Sequence, residues 1–567
     1  MKINPFDHSY FIGYVADVLP QFVRIHFPSS VLLNKFFIEG EEFCGGLVGN
    51  FVVIEGDTNG FLGKILELSL PESERLDLTE KAFQNHEFHP TGKVEILLSF
   101  DHFAPFQVAK GLDCYPSIGA KVFVPSASFL QEYLRRFGTR QGADIKSPVF
   151  DFALLTSNKN THVTVSQQAI FGRHCAVVGT TGGGKSWTVA KLLEETIAVK
   201  GKAILLDATG EYRTLESKNE VYKTVIAIDS FFHYTKLTVD DLYCLLKPAG
   251  KVQSPKLMEA IRSLKMVKIA EARHAHKLTI YNGNLIKAGQ LKRPVEEFYY
   301  RNISEIEDGY IDFDITKLAS QITNECIWDS DKNNSENYGG RNDGDVSNCI
   351  SLISRINNVV NTAIFKNIFG FDKQREDVND LTVKISSFLS NDNKNLLRIG
   401  FEEVGYEFQA REILANAIAK HLLYKARAGN FKRRPIIFFV DEAHQYLNQK
   451  IQDEYYIARP LDAFDQIAKE CRKYGLFLCL ATQMPRDIPV GTLSQMGTFI
   501  VHRLINYNDK EAIAGASSSA NKHVLDFLPV LGEGEAILMG IDFPMPLSIK
   551  INAPEIPPDS ETPKFTL

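Results

Sequence analysis

The stretch Gly179-Thr180-Thr181-Gly182-Gly183-Gly184-Lys185-Ser186 combines glycines, one lysine and one terminal hydroxyl in eight consecutive positions. Backbone N–H groups unobstructed by side chains can turn inward around a phosphate, and a helix beginning behind them adds its positive end. Lys185 is then placed to reach β- and γ-phosphates, and Ser186 to ligate Mg²⁺. The flanks agree. Cys175 to Val178 reads as a short buried strand, and the run WTVAKLLEETIAV, opening on Trp187, reads as a helix. Gly179 to Trp187 therefore forms the expected nucleotide-contacting segment, with ATP and Mg²⁺ as its ligands.

Hydrolysis needs more than a phosphate cradle: one carboxylate in the magnesium shell and another to orient or deprotonate water. The run RRPIIFFVDEAHQYL offers both where an apolar strand ends, Asp441 for Mg²⁺ and Glu442 for the water. A purely structural reading is poor, because an unpaired buried carboxylate is costly. The letters D-E-A-H also occur in superfamily 2 helicases. Here about 255 residues separate loop and carboxylates, and no QxxGRxGR element follows, which excludes that class. The run GLFLCLATQMP ends in Thr482 and Gln483, a polar tip able to report loss of the γ-phosphate; a capping threonine beside a surface glutamine is the alternative. In DATGEY, Asp207 and Glu211 fall near the sheet edge where open α/β sheets bind ligands. A helix N-cap is the plainer reading of that turn.

Positioning these groups requires a parallel sheet. From about residue 150, apolar runs of a few residues alternate with helical segments, the pattern of an α/β fold with helices on both faces. The expected core occupies 150–234 and 391–550, with a helical insertion at 235–390 and a proline-rich tail at 551–567. Residues 1–140 are β-rich and turn-punctuated; FVVIEGDTNGFLGKILELSL predicts a hairpin around Asn59-Gly60, and the whole segment predicts a small β-barrel with an assembly role. Inside the insertion, the polar residues 330–348 predict a mobile loop. Lys256, Arg262, Lys265, Lys268, Arg273 and Lys277 follow one predicted helix, a solvated face by default and a DNA contact as the alternative.

Composition narrows the class. Of 567 residues 44% are hydrophobic and 23% charged, as in ordinary soluble domains, and the net charge of −6 argues against a protein that coats nucleic acid non-specifically. No apolar run approaches the roughly 20 residues of a membrane span, so a cytoplasmic protein with no membrane association is expected. Eight cysteines, scattered and without a C-x-x-C pair, suggest reduced packing thiols. His86 and His89 have metal-compatible spacing but no further ligand nearby in sequence.

With these blocks assembled, the chain resembles the HerA family of the FtsK/HerA ATPases, closest to the bacterial component of antiphage defence systems. The likeness rests on RHCAVVGTTGGGKS, LLDATGEY, VDEAHQYL, AKECRKYGLFLCLATQMP, TFIVHRLIN and LPVLGEGEAILMG, with the barrel in front. It implies a RecA-like P-loop ATPase core, a homo-hexamer with ATP between subunits, and double-stranded DNA as the track. By position, Arg472 matches the family's trans-acting arginine, Arg173 a second nucleotide-sensing one, and Arg503 a related group. Without the likeness, Arg472 reads as a surface partner of Glu470. Cys471 stands where the family often has glycine, and ATQMP where SQRP is common, so a positive group after Gln483 is missing. The resemblance further implies a separate effector protein, a Sir2-type NAD-consuming protein, a DUF4297-type nuclease or a NurA-like nuclease. Expected on this basis is an ATP-driven DNA translocase or helicase that drives or licenses that effector in antiviral defence. The alternatives are an ATP-regulated scaffold ring without processive DNA movement, and HerA–NurA-like processing of DNA ends in repair.

Overall fold

Alternating burial along Thr91–Asp101 shows how the N-terminal strands close on themselves: every second side chain from Gly92 to Leu98 points inward. In the computed structural model six antiparallel strands form a closed barrel in the order Phe11–Val18, Phe22–His26, Thr91–Asp101, Asn59–Ser69, Phe51–Glu55 and Lys121–Phe123. Ile12, Val23, Ile25, Val52, Ile54, Ile65, Val94 and Val122 fill it, each fully out of water. At about 1.5–3 kcal/mol per buried aliphatic side chain, this interior is the barrel's main source of stability. The structure describes residues 4–20, 22–38, 41–71, 88–102, 114–135, 137–138, 146–274, 277–374, 377–447, 461–517, 519–520 and 522–560.

The expected hairpin is present with a different turn. Glu55 pairs with Gly60, so residues 56–59 make the turn, with Asn59 its last residue and Gly60 the first residue of the second strand to pair with the first. Gly60 serves close packing there: a Cβ would lie 2.4 Å from the Phe100 ring.

Contacts divide the chain into two units: Met1–Val199 with Phe477–Arg486 and Val490–Pro557, and Lys200–Leu476 with Asp487–Pro489 and Pro558–Leu567. In the first, Cys175–Val178 runs parallel to Leu476–Thr482 on one side and to Thr498–Val501 on the other. Beyond Thr498–Val501 the pairing becomes antiparallel, through Glu535–Gly540, Leu547–Ile551, Val149–Leu155 and Asn158–Ser166. The sheet of this unit is thus mixed, parallel around the strand that carries the glycine-rich loop and antiparallel beyond it. The barrel docks on this sheet through Lys64, whose Nζ donates to Ser548 Oγ (3.1 Å) and lies 4.6 Å over the Phe527 ring. Burial pushes this ammonium down to about 8.

In the second unit Ile436–Val440, Lys202–Asp207, Leu396–Gly400 and Val221–Val225 are parallel neighbours in that order, so their C-terminal ends share one edge. Helices Val239–Leu246, Gln253–Ala272, Lys292–Arg301, Leu318–Glu325, Asp343–Asn361, Ala363–Phe369 and Leu381–Ser390 fill the stretch before Leu396. The polar segment expected as a mobile loop has defined structure. Trp328 and Gly339 exchange backbone bonds with Gly340 and Trp328, Asp331 accepts from Asn333 and Asn334 N–H groups, and Asn342 caps Asp343–Asn361. Asparagine and aspartate side chains replace the missing ladder with local backbone bonds, which hydropathy does not register.

The basic helix faces acids of its own chain. Arg262 reaches Glu307 (2.6 Å), Lys265 reaches Asp308 (2.6 Å), Lys256 reaches Glu259 (2.9 Å), and Lys268 and Arg273 pair with Asp312 and Glu305. Neither a bare solvated face nor a free DNA-binding stripe describes it. The tail begins pinned rather than frayed: the Glu194 carboxylate accepts the N–H groups of Glu555 (2.9 Å) and Ile556 (2.8 Å). Cysteines whose side chains are described are free thiols, and all but Cys114 are buried. His86 lies outside the described residues; among the described ones no group of three His, Cys, Asp or Glu could hold a metal. No helix among the described residues is long and apolar enough to cross a membrane.

Candidate nucleotide site

Four fully buried residues, Cys175–Val178, carry the chain into the loop, and the helix Lys185–Ala198 carries it out. Gly182 and Gly184 have φ of +73° and +100°, values that only glycine adopts without strain, and Gly184 is the helix N-cap. The loop has no room for side chains below it either. A Cβ on Gly179 would stand 2.6 Å from His502 Cβ, and one on Gly184 would stand 2.9 Å from Gly534 Cα. Thr180 is fixed by Arg503, whose carbonyl accepts both its N–H (3.0 Å) and its hydroxyl (3.1 Å). Gly179 N–H reaches Thr482 O (3.3 Å), and the Thr181 hydroxyl donates to Gln483 Oε1 (2.5 Å). Lys185 is only 5% exposed, whereas Trp187 is 43% exposed on the first turn of the helix.

His502 was not singled out by sequence reasoning, yet it is the floor of this loop. Nδ1 lies 2.9 Å from the Glu535 carbonyl, which can only accept, so Nδ1 carries the proton and Nε2 accepts from Thr188 Oγ1 at 2.8 Å. Complete burial, with the nearby Lys185 charge adding to it, pushes the imidazole down to about 4. A neutral ring under a cationic lysine adds no competing charge at the loop. The sequence did hold one signal: a histidine inside the apolar run FIVH, where a charged ring has no place.

Arg503 contributes its backbone to the loop, and its Nε is buried without a hydrogen-bond partner among the described residues. Arg173 sits before Cys175, at the strand end opposite the loop, and forks onto Asp542 (3.0 and 3.1 Å). It is therefore not brought to the glycine-rich loop of this chain.

The carboxylate turn belongs to the second unit. Asp441 follows Ile436–Val440, is 2% exposed, and is tied to the neighbouring strand by its N–H to Leu206 O (3.1 Å). Glu442 is 5% exposed with φ +47°, a left-handed conformation unusual outside glycine. Its Oε2 lies 3.3 Å from His444 Nδ1. Backbone strain of this kind concentrates where a side chain must be aimed. Arg411, 6% exposed, braces the same edge by donating to Val404 O (2.6 Å), Phe401 O (3.1 Å), Ala208 O (3.3 Å) and Gln445 Oε1 (3.0 Å). One guanidinium thus joins the loops after three strands, a role no local motif announces.

Asp207, expected to contact nucleotide, is fully buried and held by three protein donors. It accepts from Gly210 N (2.9 Å), Tyr212 N (3.2 Å) and Arg398 Nε (2.7 Å). It shapes the turn that carries Glu211. Glu211 Oε2 is buried without a hydrogen-bond partner among the described residues. Arg472 is exposed in the turn Cys471–Tyr474, and the Glu470 carboxylate accepts from Arg427 (2.9 Å).

The loop's donor set suits a nucleoside triphosphate with Mg²⁺. It presents backbone N–H groups and one lysine in a cradle that a Cβ would close, and the Ser186 hydroxyl is a hard oxygen; in the second unit the Asp441 carboxylate is a ligand of the same chemical kind.

Comparison with known proteins agrees with these elements. Residues 152–313 match the family model for the central domain of helicase HerA, and residues 423–560 the HerA-like C-terminal model, together more than half of the chain. A probable helicase, MJ1565 of Methanocaldococcus jannaschii, is 24% identical over 89% of this chain and 86% of its own length. The DNA double-strand break repair helicase HerA of Sulfurisphaera tokodaii is also 24% identical, over 67% of this chain and 65% of its own length. Among solved structures, the conjugative coupling protein TrwB matches 76% of this chain and 94% of its own at 12% identity and a TM-score of 0.44. Two family models in register with the glycine-rich loop and the carboxylate turn establish the conclusion: the chain belongs to the HerA family of P-loop ATPases.

Proposed function

We propose that the protein is a Mg²⁺-dependent ATPase that works as a hexameric ring on double-stranded DNA and drives or licenses a separate effector protein in antiviral defence. The observation that carries the reading is the Gly179–Ser186 loop, with left-handed Gly182 and Gly184 opening a helix over the buried Lys185. ATP with its Mg²⁺ supplies the phosphoanhydride bond and the charge neutralisation. In this reading Lys185 and the loop N–H groups hold the phosphates, Ser186 and Asp441 are the metal ligands, Glu442 orients or deprotonates water, and Gln483 reports on the γ-phosphate. Arg472, exposed in the turn Cys471–Tyr474, is the candidate to act on a neighbouring subunit's nucleotide, which would make turnover depend on ring assembly. Arg173 and Arg503 are second-rank candidates for the same task. DNA as the track is supported by relatives whose names describe DNA repair helicases.

A nucleotide-controlled scaffold is the second reading. Its support is the basic helix Gln253–Ala272, whose cations are engaged by acids of the same chain rather than offered to phosphates. ATP turnover of the wild type and of Arg472→Ala, with and without linear duplex DNA at two salt concentrations and with ring size measured alongside, separates the two. Turnover raised by DNA at low salt and abolished by Arg472→Ala in an intact ring supports the motor. Turnover indifferent to DNA supports the scaffold.

A further inference from the structure

Within the helical insertion, far along the chain from loop and carboxylates, a cavity of about 380 Å³ opens between Gln253–Ala272, Lys292–Arg301 and the segment around Tyr338. That is the size of a small-ligand pocket. Three tyrosines, Tyr299, Tyr300 and Tyr338, line it.

Its cations are already spent. Lys256 pairs with Glu259 (2.9 Å), Arg262 with Glu307 (2.6 Å), and Lys287 with the buried Glu325 (2.7 Å). Glu296, also in the lining, makes no hydrogen bond or ion pair among the described residues. Ser263, on the same helix face as Lys256, Glu259 and Met266, is fully buried, and its Oγ has no hydrogen-bond partner among the described residues. A native fold seldom leaves such an atom unused. Burial first, and then the Glu296, Glu325, Asp329 and Glu259 charges, push the Tyr338 phenol up to about 12, consistent with a negative field inside the cavity. The lining carries four carboxylates, Glu259, Glu296, Glu325 and Asp329, against three cations, which disfavours anionic ligands. Aromatic faces, an unpaired carboxylate and one buried hydroxyl suit a cation that also donates hydrogen bonds.

We infer that this cavity binds a small organic cation, an alkylammonium or guanidinium compound, with Glu296 opposing its charge, the tyrosines covering its stem and Ser263 Oγ accepting a hydrogen bond from it. The ATPase assignment is not needed for this. The test is titration calorimetry of the full chain with agmatine, putrescine and neutral 1,4-butanediol, repeated on Glu296→Gln, Ser263→Ala and Tyr299→Leu. Expected are binding of an amine at millimolar concentration or tighter, no heat from butanediol, and a loss of about tenfold or more in affinity for Glu296→Gln, with ATP turnover unchanged in that variant. Glu296 is exposed, so its substitution leaves folding intact and keeps the result interpretable. Failure of both amines to bind at about 10 mM, or binding indifferent to Glu296→Gln, overturns the inference. A Gly-Arg-Gly tripeptide binding as tightly as agmatine overturns the free-molecule part and assigns the pocket to a protein side chain.

Discussion

The Thr181 hydroxyl donates to Gln483 Oε1 at 2.5 Å, so the glycine-rich loop and the tip of Leu476–Thr482 are bonded directly to each other. A change at the phosphate-facing loop is therefore passed to the glutamine in one step. Gln483→Ala and Thr181→Val should each lower ATP turnover, and the double variant should be little worse than either single one, because contacting residues are not additive. Steady-state kinetics of the four proteins checks this; fully additive losses would remove the coupling.

His502 makes stability depend on pH. Its folded value, about 4, lies below the ordinary 6.5, so the unfolded chain takes up a proton that the folded chain refuses. The contribution is intact above 6.5 and is lost as pH falls from 6.5 towards 4. At pH 5 the loss is about 2 kcal/mol from this residue. His421, also pushed down to about 4, adds a loss in the same window. Denaturant unfolding of wild type and His502→Gln at pH 7.5 and 5.0 should show a smaller pH difference in the variant.

Much of this was legible in the sequence because the informative signals are local. The Gly179–Ser186 spacing, the Asp441-Glu442 pair after an apolar strand, and the change from barrel to alternating strands and helices each need only a short window. What escaped depends on distant residues. Arg398 and Arg411 are buried cations whose partners are gathered by the fold, and His502 meets the loop across more than 300 residues of chain. The Arg398 bond to Asp207 was hidden for the same reason: the two residues are 191 apart in the chain. The hairpin around Asn59-Gly60 is present with its turn centred slightly earlier, because a glycine needed for close packing looks the same as one needed at the centre of a turn.

Arg398 is the centre of a buried charge cluster. It is 1% exposed and holds Asp207 (2.7 Å), Glu216 (2.9 Å) and Glu402 (3.1 Å). Removing one partner of a buried pair leaves uncompensated charge, at a cost of about 3–5 kcal/mol. Arg398→Met should destabilise the protein by that order and loosen the turn carrying Glu211, whereas Arg213→Met, at an arginine whose side chain is about half exposed against Glu402, should cost under about 1 kcal/mol. Thermal or denaturant unfolding of the two variants gives the comparison, and equal losses would contradict the clustered role.

Glu442 couples function to strain. Its φ of +47° would cost a residue with a Cβ about 1–2 kcal/mol, and glycine almost nothing. Replacing the carboxylate by an amide keeps the shape: Glu442→Gln should still bind ATP but lose turnover by at least about a hundredfold, the scale of a general base. Replacing it by alanine or glycine removes the carboxylate in both cases, but only glycine releases the backbone. Glu442→Gly should therefore be more stable than Glu442→Ala by about 1 kcal/mol while both are inactive. Equal stability would mean that the left-handed conformation carries no strain at this position. Turnover retained in Glu442→Gln would take the water-activating role away from this residue and move it to another carboxylate of the same edge.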